Sequence, residues 1–456
     1  MRSTVMFVGR VAAMLVVAAA AGGAQTGAGR TPARTTTAVA GGSVVSAPVS
    51  RHRAWMVYAY TDFYFPHHPG DTATLDLLAS KRVDRVMNGD PALWRTYNPN
   101  VRQVQYRLFW FALTTTKDTA GPSGVGPMDA WLTAHGFAIE SAFLHRKGSA
   151  AAQANRITWV AHDGDSAAAL NPADSGMRAY QASVFDGLVR NGYAGVFYDV
   201  FGRGGLARAF ASAEGDSIWY RDHLTAALRA ERAAYPGSMI VVNTSNYEFP
   251  FDSACIVAAG ASHLEQTNNP LSANLTPNWT WIDRMVAAGA QSLEFVSTYT
   301  WTDKLPASLT GGNSASPMAR EKFAEYASYL LVKDTAGIVA FAPDNSWRDS
   351  PRDHWLAAWD VDVGQPVGPR AVLANGTDSL GNPYTIWVRH FSSGAVVLLR
   401  TNHPTRLKPV SDFGDAAGVS VDIPPGVTRS LDATTGSARP ARQLTLRPGE
   451  GAILLP

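Results

Sequence analysis

Short apolar runs recur along the chain with room for a helix between them, and most of them lack strict polar alternation. Eight stand out: Trp55 to Tyr60, Val83 to Met87, Val104 to Phe111, Ala194 to Val200, Met239 to Asn243, Ala261 to Gln266, Ser292 to Thr298 and Gly337 to Phe341. Parallel strands covered on both faces need runs of this kind. Between several of them the period changes. Met177, Tyr180, Val184 and Leu188 fall three and four apart, with Asp174 placed to cap the start and Gly192 to stop the end. Asp216 to Tyr235 carries Leu224, Ala227 and Leu228 before Pro236-Gly237, and Trp279 to Ala288 carries Ile282, Met285 and Val286 before Gly289. Ala319, Phe323, Tyr326 and Leu330 give one more stripe. Strand and helix in alternation predict an α/β fold built as a (β/α)8 TIM barrel.

Two stretches break this rhythm. Thr114 to Asn171 offers no firm strand and reads as a long excursion over the barrel mouth; its His145, His162 and Asp163 read as solvated or structural. Beyond Trp355, turn dipeptides separate β-rich runs such as Tyr384 to Phe391 and Ala395 to Leu399, and Ser392-Ser393-Gly394 between those two is a hairpin connection. The expected organisation is a catalytic barrel over residues 51–355 followed by a small antiparallel β-sandwich over residues 356–456.

The N-terminal segment has a different character. Arg2 and Arg10 precede the apolar stretch Val11 to Ala21, and Gly22-Gly23-Ala24 supplies small residues suited to signal peptidase. Residues 1–24 therefore read as a signal peptide and 25–50 as a flexible leader, giving a secreted protein, extracellular or periplasmic, with no stable membrane insertion after cleavage. Removing two arginines leaves 37 Lys+Arg against 37 Asp+Glu, so no nucleic-acid partner is expected. Cys255 is the only cysteine, which rules out an internal disulfide and marks a small buried residue rather than a nucleophile.

Candidate chemistry sits at strand ends. The run Asn191 to Val200 delivers Asp199 at its C-terminal end, and the largely apolar run Ile256 to Leu264 ends in Glu265, so acids arrive on what count as the fourth and sixth strands. That end of a TIM barrel is where its active sites lie. Glycosidic cleavage uses two carboxyl groups, about 5 to 5.5 Å apart for retention and about 6.5 to 9.5 Å for inversion. The competing reading has Asp199 capping the next loop and Glu265 pairing with an arginine. Other strand ends add Tyr60, Asp62, Asn243, Tyr299, Trp301 and Trp347 as substrate-binding candidates, with Trp110 belonging to the mouth or to the core. Aromatic rings there suit sugar faces. No His-Glu-x-x-His, Walker loop, nucleophile elbow or paired-cysteine spacing occurs, so neither a metal nor a cofactor is expected.

Gly195-Val-Phe-Tyr-Asp199, the later Glu265 and Trp359-Asp-Val-Asp-Val-Gly-Gln-Pro-Val-Gly368 together resemble the glycoside hydrolases of the hypothetical glycosyl-hydrolase-like class. The likeness spans roughly residues 54–400. It implies a (β/α)8 barrel with a C-terminal β-sandwich, a carbohydrate substrate and paired acids as nucleophile and acid/base, roles that fall on Asp199 and Glu265. A non-catalytic carbohydrate-binding barrel at the cell surface is the alternative expectation.

Overall fold

The computed structural model describes residues 57–58, 76, 85–87, 90–114, 123–160, 166–199, 209–243, 251–264, 275–297, 317–343, 356–402, 418–432 and 436–456. Among the described residues its main sheet has eight strands, and neighbouring strands within it run parallel: β1 (Val57–Tyr58), β2 (Arg85–Met87), β3 (Arg102–Arg107), β7 (Gly195–Tyr198), β8 (Met239–Asn243), β9 (Ala261–Leu264), β10 (Ser292–Ser297) and β11 (Val339–Pro343). Neighbours in this order are hydrogen-bonded, and the two end strands, β1 and β11, lie against each other, so the sheet curls round into the expected (β/α)8 barrel.

Strand alternation sorts the side chains into two sets. Met87, Val104, Phe197, Met239, Val241 and Ala261, joined by Tyr106, form a cluster contributed by strands alone, which is the bore of the barrel. Residues of the opposite parity, among them Val86, Val196, Tyr198, Ile240, Val242, Leu293, Phe295 and Phe341, pack with helix residues in the large outer core. Close packing fixes one glycine: a Cβ at Gly195 would collide with the Met239 carbonyl of the neighbouring strand.

The covering helices start and stop where their sequences dictate. Ser175–Arg190 is capped by Asp174, whose side chain accepts the Met177 N–H at 2.7 Å, and past its end Gly192 adopts a φ of 89°. Ser217–Ala234 is capped by Asp216, which accepts from both Ile218 and Trp219. Leu275–Ala287 and Pro317–Val332 complete the predicted set. Among the described residues no helix is long and apolar enough to cross a membrane.

Two sequence expectations need correction, while a third starts where expected. The strand expected from Ala261 begins there as β9, and the earlier part of the run Ile256 to Leu264 belongs to a helix, Phe251–Ala259, that ends at Gly260 with φ 92°. Cys255 is fully buried in that helix. The run Val104 to Phe111 is likewise divided, β3 stopping at Arg107 and the chain re-entering at Phe111 as β4 of another sheet. The excursion, expected to offer no firm strand, carries regular elements among its described residues. It holds the helix Val125–Ala134 and a three-stranded antiparallel sheet in which β6 (Ser166–Ala169) lies between β4 (Phe111–Leu113) and β5 (Thr158–Val160).

The C-terminal region is antiparallel, as predicted. One sheet has six strands in the order β12 (Pro366–Thr377), β13 (Pro383–Phe391), β14 (Val396–Asn402), β19 (Gly451–Leu455), β16 (Arg429–Leu431) and β17 (Ala438–Pro440); β15 (Val419–Val421) pairs with β18 (Leu444–Leu446). The β13–β14 hairpin turns through Ser392-Ser393-Gly394, with Gly394 at φ 85°. This module is riveted to the barrel. Arg389 Nη1 donates to the carbonyls of Leu330, Leu331 and Lys333 at 3.2, 2.8 and 2.7 Å, and so satisfies the C-terminal turn of Pro317–Val332. Arg370 pairs with Asp283 at 2.7 Å and lies over Trp279, which meets Trp387 edge-on.

Candidate active site

Inward parity on three adjacent strands brings three polar side chains to the C-terminal end of the bore. Asp199 is two residues beyond inward-facing Phe197, Asn243 two beyond Val241, and Tyr106 two beyond Val104. Sheet order places β7 between β3 and β8, so the carboxylate arrives between a phenol and an amide. The Tyr106 hydroxyl donates to Asp199 Oδ2 at 2.7 Å and Asn243 Nδ2 donates to Oδ1 at 2.7 Å. The backbone is held as well, since the Asp199 N–H donates to the Arg107 carbonyl at 3.1 Å.

Two donors fix the plane of a carboxylate that is 7 % exposed. Each oxygen has a second lone pair, so neither hydrogen bond removes its capacity to react. Asn243, expected at the substrate, is 1 % exposed and donates to Asp199. Trp110 takes the core placement, fully buried with its ring edge-on to Phe111. Tyr106 was missing from the sequence-derived candidates, although its inward parity with Val104 was available as a signal.

A second acid in the same sheet was also missed. Glu294 on β10 is 1 % exposed and forms an ion pair with Arg85 of β2, whose Nη2 also donates to Ser292 Oγ at 2.9 Å. Glu294 is in register with His263 of β9, which is itself in register with Asn243, so it continues the row that starts at the site. A guanidinium bound to it makes it a structural charge.

The outer face behind Asp199 carries another carboxyl group. Tyr198 points away from the bore and donates its hydroxyl to Glu231 Oε1 at 2.6 Å, across to the helix Ser217–Ala234. Burial pushes the Glu231 carboxyl up to about 8, and the Tyr198 hydrogen bond pulls against that shift. Glu231 therefore stands as a neutral acid near pH 7.

His145 has the structural role expected of it. It is 3 % exposed, with Nε2 3.0 Å from Glu140 and Nδ1 3.6 Å from Glu214, while Arg156 forks onto Glu140 at 3.0 and 2.6 Å. These contacts, with Ala213 N–H donating to the His145 carbonyl at 2.9 Å, clamp the excursion to the segment that follows Asp199. Among the described residues, no group of three His, Cys, Asp or Glu side chains could hold a metal ion. Glu265, Tyr60, Asp62, Tyr299, Trp301, Trp347, His162 and Asp163 lie outside the described residues.

Known proteins were compared with this chain in three ways. Among solved structures, the glycoside hydrolase domain of PelA from Pseudomonas aeruginosa is 14 % identical over 66 % of this chain and 96 % of its own, with a TM-score of 0.36. An alpha-amylase from Malbranchea cinnamomea is 11 % identical over 89 % and 96 %, with a TM-score of 0.48, and Amy13B from Eubacterium rectale is 10 % identical over 88 % and 96 %, at 0.47. No curated protein matches the chain. A family profile described as hypothetical glycosyl hydrolase family 15 matches residues 141–395, more than half of the sequence and inclusive of Asp199, Asn243 and Glu265. The chain belongs to hypothetical glycosyl hydrolase family 15.

Proposed function

We propose that this protein is a secreted glycoside hydrolase that cleaves a glycosidic bond in a polysaccharide or glycoconjugate, with Asp199 and Glu265 as its carboxyl pair. The observation that carries the reading is the seating of Asp199, an acid at the C-terminal end of the fourth barrel strand with both oxygens oriented by Tyr106 and Asn243. Membership of a glycosyl hydrolase family supplies the reaction class. For Glu265 the support is parity: Ala261 faces the bore, and an extended chain continued from it would present position 265 on the same side.

In this reading Asp199 attacks the anomeric carbon as the bond to the leaving oxygen breaks, and the proton of Glu265 goes to that oxygen. Water then gives a proton to Glu265 and its oxygen to the anomeric carbon, which frees the Asp199 carboxylate. Retention of configuration follows from the two displacements. Export rests on the Arg2 to Ala24 segment, and N-terminal sequencing of protein recovered outside the cytoplasm tests it.

The deciding experiment is Asp199→Asn assayed against a panel of oligosaccharides and polysaccharides. Turnover by the wild type and none by a folded variant supports the assignment; full turnover by the variant removes it. Azide rescue of Glu265→Ala with an altered product supports the acid/base role, whereas undiminished activity on poor leaving groups counts against it. Glycan binding by the wild type without any product would point to the carbohydrate-binding alternative.

A further inference from the structure

Tyr198 and Asp199 are joined by one peptide bond and face opposite sides of the barrel wall. Anything that grips Tyr198 from outside therefore sets where Asp199 stands inside. Its ring packs on Phe109 with centroids 4.7 Å apart, and its hydroxyl is held by Glu231. Glu231 sits on the buried stripe of Ser217–Ala234, after Leu224, Ala227 and Leu228, where an apolar residue is the rule. Its second oxygen, Oε2, is buried with no hydrogen-bond partner. Among the described residues, an ionised carboxylate there would have one donor and no cation beside it; a carboxylic acid carries no charge to desolvate.

The titratable groups on the surrounding elements do not change this. Arg107 of β3 acts on Tyr198. Asp186 and Arg190 of Ser175–Arg190 act on Tyr235 at the end of the Glu231 helix, and Cys255 of Phe251–Ala259 acts on Tyr220. Arg232, the neighbour of Glu231, turns away to the Ser238 carbonyl and Gln291. Among the described residues, the Glu231 carboxyl takes its hydrogen bond from Tyr198.

We infer that neutral Glu231 is a positioning residue for Asp199, holding its strand from behind through Tyr198, and that ionisation of Glu231 is an alkaline switch on the site. The inference rests on the reading of Asp199 as the catalytic carboxylate. Below the switch, the acid and the phenol lock helix to strand, and Asp199 keeps its two donors. Above it, the buried charge draws in water, the helix loosens from β7 and Asp199 leaves its alignment with Tyr106 and Asn243.

Hydrogen–deuterium exchange of residues 195–199 in the full-length protein tests this without a substrate, at about pH 6.5 and about pH 9, corrected for base-catalysed chemical exchange. Wild type should lose about tenfold in protection there, one pH unit beyond the midpoint being worth a factor of ten. Exchange in β14, on the other module, should stay unchanged, which separates local release from global unfolding. Glu231→Gln, uncharged and of the same shape, should keep its protection at both pH values. Loss of protection by Glu231→Gln equal to that of the wild type, or none by the wild type, overturns the inference. Should Glu231→Gln fail to fold, Tyr198→Phe decides: removing the donor must move the onset to higher pH, and an unmoved onset overturns it. Full activity of Asp199→Asn would defeat the catalytic reading while leaving these exchange results standing.

Discussion

The Tyr106 hydroxyl reaches Asp199 Oδ2 at 2.7 Å, linking residues 93 apart in sequence on neighbouring strands. With Asn243 on the other oxygen, the carboxylate is aimed before any substrate arrives. A hydrogen bond to a charged group is worth about 1.5–3 kcal/mol, so Tyr106→Phe should lower kcat roughly ten- to hundredfold. Steady-state kinetics beside a thermal melt checks this; wild-type kcat in a folded Tyr106→Phe protein would show that the bond does not serve catalysis.

Arg85 and Glu294 form an ion pair whose side chains are 3 % and 2 % exposed. Removing one partner strands a buried charge at a cost of about 3–5 kcal/mol, whereas replacing both with apolar residues of similar volume is often neutral. Urea unfolding of Arg85→Met, Glu294→Leu and the double variant should show two large losses and a substantial recovery. Additive losses would mean that the two charges do not depend on each other.

Glu231 makes stability depend on pH in a defined direction. Its folded-state value, about 8, lies above the ordinary 4.5 of a glutamate carboxyl, so the native state binds the extra proton between those limits. The contribution is fully present below 4.5 and is lost as pH rises to about 8, with a slope of up to about 1.4 kcal/mol per unit. Denaturant midpoints measured across this range should fall less steeply in Glu231→Gln than in the wild type. Identical slopes would assign the pH dependence to other groups.

Arg389 satisfies three carbonyls at the end of Pro317–Val332 from the neighbouring module. Arg389→Ala should lower the thermal midpoint and, by weakening the seam, broaden or split the unfolding transition seen by calorimetry. Arg389→Lys should recover only part of this, because a single ammonium at the Nη1 position cannot also reach the Gly368 carbonyl, to which Arg389 Nε donates at 3.2 Å. Full recovery by lysine would indicate that charge alone supports the seam.

The parts of the fold legible in the sequence are those fixed by local chemistry. Barrel strands such as Met239–Asn243 declare themselves because both of their faces are buried, and the Asp174 and Asp216 caps because nothing else fits a helix start there. Within Ile256 to Leu264 apolar content alone does not distinguish a buried helix end from a strand, and Gly260 is the punctuation after which the expected strand begins at Ala261. The excursion was opaque because its short strands are stabilised by non-local pairing, as when Ala168 faces both Ala112 and Thr158.

At the site, Asp199 was legible as an acid ending an apolar strand. Its partners were not, since a hydrogen bond between β3 and β7 depends on a register that no local pattern encodes. Glu231 and Glu294 could have been flagged on another ground. One is an acid on an apolar helix stripe, the other an acid within an apolar strand, and each needs compensation that only the fold reveals.

The closeness of the two modules has a consequence for their history. Gly451 of β19 runs so near the last barrel helix that a Cβ there would press on the Ala327 side chain, and Lys333 at that helix end donates to the Gly364 carbonyl at 3.0 Å. The sandwich is thus part of the barrel's own masonry rather than cargo on a tether. A chain that exchanged it for another appendage would need a new facing surface on the helix as well, so the two halves are expected to be inherited together.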